Sequence, residues 1–337
     1  MLSASTDPLT SCYDLAMLDL DGVVYIGGDA VPGAADHLRA TRAAGLRVAF
    51  ITNNAARPPE EVAAHLVDLG VEAHTGDVVT SAQAAAQVLL ERHGRGARVV
   101  RLGGPGLEAA LSAAGLEPVG PDDEAVAVVT GYGPEVLWRD IMRVAVRVRD
   151  GLPWVASNAD ATIPTQFGAA PGHGVLVETI ARFADVTPVI AGKPERPLLD
   201  ETVRRVGGRR PLMVGDRLDT DIEGARNAGV DSLLVMTGVT GLPELAAAAP
   251  EQRPSYVSAD LGGLLASHAV PTREGADHAL GGWRARVAEG ALQVEGDGAA
   301  DDWWRVVAQV CWAHLDEEGT AVDVDGVGVP EVQRSGR

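Results

Sequence analysis

Asp19 and Asp21 stand two residues apart where the apolar run Leu15 to Leu20 ends. Side chains alternate along a strand, so positions i and i+2 face the same side and two carboxylates meet at one point. Gly22 lets the chain turn away tightly behind them, leaving Asp19 to attack and Asp21 to transfer a proton. Three more apolar runs end in polar chemistry: RVAFIT in Thr52, followed by Asn53 and Asn54; VIAG in Lys193; PLMVG in Asp216. A hydroxyl and amide donors can hold phosphoryl oxygens, an ammonium can balance a phosphate against a carboxylate, and acids can hold a hard cation. Lys193 is the only lysine among 28 basic residues. In a chain that otherwise uses arginine, a compact charge on a flexible stem marks a place where a planar guanidinium cannot serve. Singly, Thr52 reads as a helix cap, Asn53 as a turn residue and Asp216 as an N-cap. Their shared position at strand ends, where open parallel sheets bind ligands, favours a site.

The elements that must carry these residues alternate. LAMLDL and RVAFIT read as strands, HLRATRAAG and PPEEVAAHLVDLG as helices, the second with prolines and acids in its first turn. The middle has an α/β pattern of its own: ARVVRLG, GLEAALSAAG, AVAVVTGY, an amphipathic stretch from Glu135 to Arg149, and WVAS. The Gly/Pro-punctuated TIPTQFGAAPGHG then reads as an irregular loop feeding a helix. Residues 1–82 and 182–268 are thus expected to be two parts of one core, with 83–181 inserted between them; PVIAGKP returns the chain to the core, and PLMVGD and SLLVM are further core strands. Past residue 265 the signal changes, and four of the six tryptophans, Trp283, Trp303, Trp304 and Trp312, lie in the tail. DDWWRVVAQVCWAHLDEEG reads as a helix packed on a short sheet from ALQVEG and AVDVDGVGV, giving a small α+β domain over 272–328.

A length of 337 residues suits two or three modules. The net charge of −19 disfavours nucleic acid and anionic membrane as partners, so an anionic substrate must meet a local cation or a metal. Cys12 and Cys311, far apart in sequence, fit a reducing cytosol better than a disulfide framework. No apolar run nears the roughly 18 residues of a membrane span, and the start MLSASTDPLTS lacks a basic, apolar leader pattern. A cytoplasmic, soluble protein is expected.

With DLDGV at 19–23, TNN at 52–54, Lys193 in AGKP and GDRLDTD at 215–221, the chain resembles the haloacid-dehalogenase (HAD) superfamily phosphatases of type IIA. This NagD-like group includes phosphoglycolate, glycerol 3-phosphate, pyridoxal phosphate and nitrophenyl phosphate phosphatases. The stretch SNADATIPTQFGAAPGHG is similar to the loop that ends the group's cap. The resemblance covers about residues 14–265. It implies a doubly wound parallel-sheet α/β core with an inserted α/β cap of the C2 type; the tail is an α+β appendage outside it. It also implies Asp19 as nucleophile, Asp21 as general acid and base, Thr52 and the Asn53 backbone on the phosphoryl group, and Lys193 opposite. Mg²⁺ would be held by Asp19, the Asp21 carbonyl and Asp216, with Asp221 rather than Asp219 in support. Gly22, Asn53 and Asn54 are candidates for the phosphate, and Tyr132, Asn158 and Asp160, with His173 weighed beside them, for the substrate.

The expected activity is Mg²⁺-dependent hydrolysis of a small phosphorylated metabolite, glycerol 3-phosphate or phosphoglycolate, with a homodimer through the cap implied by the resemblance. Two other classes use similar residues. A phospho-receiver also has aspartate, threonine, lysine and acid-bound Mg²⁺, but here the nucleophile's strand comes first and about 140 residues separate Thr52 from Lys193. A catalytically silent HAD-fold binding protein would use the tail as its surface, against which stands the presence of every motif residue. GGPGLEA from Gly103 imitates a dinucleotide fingerprint, but Pro105 suits a plain helix start.

Overall fold

Leu15–Leu18 is apolar and buried at all four positions, as a parallel strand covered on both faces must be. The computed structural model describes residues 1–165 and 168–330. The chain divides into two compact units, Met1–Val48 with Gly208–Arg337, and Ala49–Gly207.

In the first unit Leu15–Leu18 pairs in parallel with Pro211–Gly215, Leu15 opposite Pro211 through Leu18 opposite Val214. The sheet continues through Asp231–Val235 to Tyr256–Ser258, again in parallel. Thus the strands expected from LAMLDL, PLMVGD and SLLVM lie side by side and send Asp19 and Asp216 out at the same end. Beyond Asp216 the chain makes a π-helical turn, Leu218–Ile222, that runs into the helix Glu223–Ala228.

The tail belongs to the same unit. Thr272–Glu274, Asp277–Leu280, Trp283–Ala288 and Ala291–Gly296 form an antiparallel sheet. The helix Ala300–Glu318 packs on this sheet and also on Tyr256–Ser258 and Leu242–Ala246. Trp303, Val307, Cys311 and Trp312 share one apolar cluster with Leu234, Leu245, Val257, Ala285 and Leu292, so the tail completes a core. The helix also covers a sheet edge, since Asp301 accepts from Ala259 N at 2.7 Å and Ser258 Oγ at 3.0 Å. One expectation fails: AVDVDGVGV forms no strand, only an isolated bridge from Asp323 to Ala291. Its acids and glycines turn the chain instead, with Asp325 N bonded to Asp323 Oδ1 at 2.9 Å and Gly326 left-handed at φ 76°.

In the second unit Arg47–Thr52, which enters it at Ala49, pairs in parallel with Val78–Thr80. A separate parallel sheet runs in the order Val189–Ile190, Trp154–Ala156, Ala127–Thr130, Arg98–Leu102 and Glu117–Val119. The helices Trp138–Arg149 and His173–Ala184 close its apolar cluster through Val144, Val148, Val177 and Ile180. Two sequence expectations are corrected. PVIAGKP does not return to a core strand: Val189–Ile190 is the edge of the sheet built on Trp154–Ala156, because a two-residue strand carries no periodicity that names its partner. TIPTQFGAAPGHG is not wholly irregular, since Thr162–Thr165 and Gly168–Pro171 pair as an antiparallel hairpin; its Gln166 and Phe167 lie outside the described residues.

Candidate active site

Carboxylate oxygens of Asp19, Asp216 and Asp221 lie within 4.8 Å of one another. Each has a different anchor. Asp19 directly follows its strand, its N–H donating to Val214 O at 2.9 Å, and Asp216 is the residue after Pro211–Gly215. Asp221 comes from the π-helical turn, where its Oδ2 accepts from the backbone N–H groups of Asp216 at 3.2 Å and Arg217 at 3.1 Å. Asp219, between the two motif acids, is exposed and pairs with Arg217 at 2.8 Å. Asp216 and Asp221 are both fully buried. Three carboxylates so close repel one another, and hard oxygen donors in such a cluster fit a small divalent cation that would offset their charge.

Glycines give the cluster its room. At Gly22 (φ 82°) and at Gly238 a methyl group would overlap the Asp216 carboxylate. Gly22 O also accepts from Thr237 Oγ1 at 2.5 Å. Asp21 stands at the solvent margin. Partial desolvation, and then the charge on Asp19, hold its carboxyl above the usual carboxylate range, against the lowering effect of the Gly27 and Gly22 backbone N–H groups.

Within the second unit, Thr52 Oγ1 accepts from Asn54 N at 3.1 Å, and Asn54 Oδ1 accepts from Ala56 N at 2.8 Å, so Asn54 shapes the loop. The Asn53 side chain is fully engaged: it accepts from Lys193 N at 2.8 Å and donates to Lys193 O at 3.0 Å and Asp160 Oδ1 at 2.9 Å. Its carbonyl accepts from Ser81 Oγ at 2.6 Å and Asn158 Nδ2 at 2.7 Å. Behind Asn158, His173 Nδ1 lies 2.8 Å from the Asn158 carbonyl. A carbonyl only accepts, so the proton sits on Nδ1. Burial lowers the His173 pKa to about 4, keeping the ring neutral. The structure thus brings together Asn53, Asn158, Asp160, His173 and Lys193. Tyr132 is half-buried and its carbonyl accepts from Gly104 N at 3.1 Å. Ser81 was not among the sequence candidates; its local signal, Thr80 with Gln83 in a capping box, announces only a helix start.

The glycines of GGPGLEA have a packing role. Gly106 N donates to Ala56 O at 2.9 Å, and a methyl group on Gly106 would stand 2.7 Å from Ala55 O. The start of the helix Pro105–Ala113 is filled by the loop that follows Asn54 and has no place for a pyrophosphate.

Two family models match: haloacid dehalogenase-like hydrolase over residues 16–117 and HAD-hydrolase-like over 190–264. The D-glycerol 3-phosphate phosphatase of Mycobacterium tuberculosis is 41% identical over 297 residues, 86% of this chain and 80% of that protein. The chain belongs to the haloacid dehalogenase-like hydrolases. An acid sugar phosphatase of Staphylococcus saprophyticus is 36% identical over 236 residues, covering 69% of this chain and 90% of that protein. Among solved structures, a glycerol phosphate phosphatase from M. tuberculosis in complex with magnesium superposes with a TM-score of 0.82 at 38% identity, over 91% of this chain and 93% of that one. The 4-nitrophenylphosphatase of Thermotoga maritima gives 0.70 at 30% identity, over 76% and 98%. The fold is therefore the family's α/β fold with parallel sheets, of the NagD-like type IIA, and the chain is a phosphoric monoester hydrolase. The M. tuberculosis match runs into the tail. No helix among the described residues is long and apolar enough to cross a membrane.

Proposed function

We propose that this phosphatase hydrolyses a small phosphomonoester, glycerol 3-phosphate ahead of phosphoglycolate, through an aspartyl phosphate on Asp19 with Mg²⁺ as cofactor. The observation that carries the proposal is the Asp19, Asp216 and Asp221 cluster with Asp21 two residues from the nucleophile. Preference for glycerol 3-phosphate rests on the M. tuberculosis relative, whose match extends past the core motifs.

Asp19 attacks phosphorus, and the departing alkoxide takes the proton of Asp21. Asp21 then takes a proton from water, whose oxygen attacks phosphorus and releases phosphate and the Asp19 carboxylate. Two easier steps replace one hard one. A carboxyl held above its ordinary range suits this work, because it keeps its proton at a higher pH than a solvated aspartate. The Thr52 hydroxyl and the Asn53 N–H donate to phosphoryl oxygens, while Lys193 balances their charge. Mg²⁺ would be held by Asp19, the Asp21 carbonyl and Asp216, with Asp221 in support. It would offset the repulsion between an anionic carboxylate and an anionic phosphate.

Residues 1–82 and 182–268, apart from the edge strand Val189–Ile190, serve as the core in this proposal, and 83–181 as a cap that limits substrates to small cytoplasmic metabolites. Trp138, Met142 and Val146 are 65%, 55% and 36% exposed at four-residue spacing on the helix Trp138–Arg149, an apolar stripe that supports a homodimer through the cap. The test is phosphate release from a metabolite panel with Mg²⁺, with EDTA and with Asp19→Asn. Activity that survives both interventions would sink the proposal.

A further inference from the structure

We infer that Asn53 is a positioning residue for Lys193, and that it is itself set by a relay through Asn158 from His173. The inference rests on the Lys193 role proposed above and adds how the lysine is held.

A carboxamide has one accepting oxygen and two N–H donors. Asn53 spends the oxygen and one N–H on the two faces of a single residue: Oδ1 accepts from Lys193 N at 2.8 Å and Nδ2 donates to Lys193 O at 3.0 Å. The backbone of Lys193 is thereby clamped as a neighbouring strand would clamp it, although Val189–Ile190 has already ended. The second N–H goes to Asp160 Oδ1 at 2.9 Å. Lys193 is 2% exposed and Asn53 9%, so these bonds form where water does not compete.

The clamp is oriented from behind. Asn158 Nδ2 donates to the Asn53 carbonyl at 2.7 Å, beside Ser81 Oγ at 2.6 Å. His173 Nδ1–H holds the Asn158 carbonyl at 2.8 Å, and Asn158 Oδ1 accepts from Asp160 N at 3.1 Å. Glycines permit the fit. A methyl group at Gly192 would stand 2.5 Å from Asn53 Oδ1 and 2.7 Å from Ser157 O, and methyl groups at Gly172 and Gly174 would overlap Asp160 O and Ala159 O. Asn53, Ser81, Asn158, Asp160 and His173 together fix where the Lys193 stem begins. An ammonium on a four-carbon stem needs such a base, because displacement by about 1 Å can cost about 10²-fold in rate.

A double-mutant cycle tests this. kcat and KM for 4-nitrophenyl phosphate and Ki for inorganic phosphate are measured for Asn53→Ala, Lys193→Ala and the double variant. Asn53→Ala is expected to lower kcat/KM about 10²-fold and to raise Ki, and the double variant to be no worse than Lys193→Ala. Losses that multiply, or an unchanged Ki in Asn53→Ala, overturn the inference. A fully active Lys193→Ala would instead overturn the lysine's proposed role, and that result is read from the single variant. Should Asn53→Ala fail to fold, His173→Ala and His173→Asn replace it. Asn keeps a donor near Nδ1, so it is expected to retain activity that Ala loses; equal losses in both, or a His173→Ala loss that multiplies with Lys193→Ala, overturn the relay.

Discussion

Gly238 lies so close to Asp216 that a single methyl group cannot stand between them. Gly238 is not among the left-handed glycines, so the constraint is steric. Asp216 Oδ2 also accepts from Val239 N at 2.6 Å, which ties the carboxylate to the same turn. Gly238→Ala is expected to push Asp216 away from Asp19 and Asp221 at a strain of about 1–3 kcal/mol. The Mg²⁺ concentration for half-maximal phosphate release should rise about tenfold or more, a shift equivalent to about 1.4 kcal/mol. A Mg²⁺ titration checks this; an unchanged midpoint would show that Asp216 has no part in holding the ion.

The two carboxyls of DLDGV should separate by leaving group. Asp21→Asn removes the proposed proton donor and should slow an alkyl phosphate such as glycerol 3-phosphate by roughly 10² to 10⁴-fold. The loss should be smaller for 4-nitrophenyl phosphate, whose phenolate departs without a proton. Asp19→Asn should abolish turnover of both. Steady-state rates on the two substrates decide the matter, and equal losses in Asp21→Asn would remove its acid role.

The tail should not be separable from the first unit. Trp312 Nε1 donates to Leu245 O at 2.7 Å, and Arg253 lies over its ring at 5.5 Å while holding both oxygens of Asp316 at 2.7 Å. Trp312→Ala is expected to cost about 3–5 kcal/mol, measured by urea denaturation. A chain ending at residue 270 would expose Leu245, Val257 and the edge of the parallel sheet and is expected to aggregate. Soluble, active protein from that truncation would show the tail to be dispensable.

Trp138, Met142 and Val146 offer a direct test of assembly. A homodimer through this stripe should dissociate in Trp138→Glu with Met142→Glu, because two charges from each protomer would have to be buried in the contact. Light scattering after gel filtration should then report a monomer of unchanged helicity. If the unaltered chain is itself a monomer, the dimer proposal fails.

How much of this was legible follows from what each signal encodes. Asp19, Thr52 and Asp216 were readable because apolar runs end at them, and burial of Leu15–Leu18 and Pro211–Gly215 agrees. Lys193 stood out by rarity, but the partner of Val189–Ile190 could not be read, since pairing is a long-range choice. The clamp of Asn53 on Lys193 spans 140 residues and leaves no periodic trace. Gly103, Gly104 and Gly106 imitated a nucleotide fingerprint because close approach of any backbone, ligand or protein, demands glycine. The tail's helix was visible from the acids at its start and the spacing of Trp304, Val307, Val310 and Cys311, but its share in the core of the first unit was not.

Acid should weaken the fold through two histidines far apart in sequence. Burial lowers both His173 and His268 to about 4, against about 6.5 in an unfolded chain. Each donates one ring N–H to a carbonyl, His173 to Asn158 O and His268 Nε2 to Gly263 O, both at 2.8 Å. Each other ring nitrogen is buried without a hydrogen-bond partner among the described residues, so a second proton would have no acceptor. Between pH 6.5 and 4 the unfolded chain binds protons that the folded one refuses. The contribution is therefore complete above about pH 6.5, declines as pH falls toward 4, and changes no further below it. Roughly 1–3 kcal/mol per histidine is at stake. His173→Asn and His268→Gln keep a donor near the bonded nitrogen and cannot titrate. Unfolding free energies measured at pH 7 and pH 4.5 should differ less in either variant than in the unaltered protein. Equal pH dependence in all three would place the acid sensitivity in the carboxylates instead.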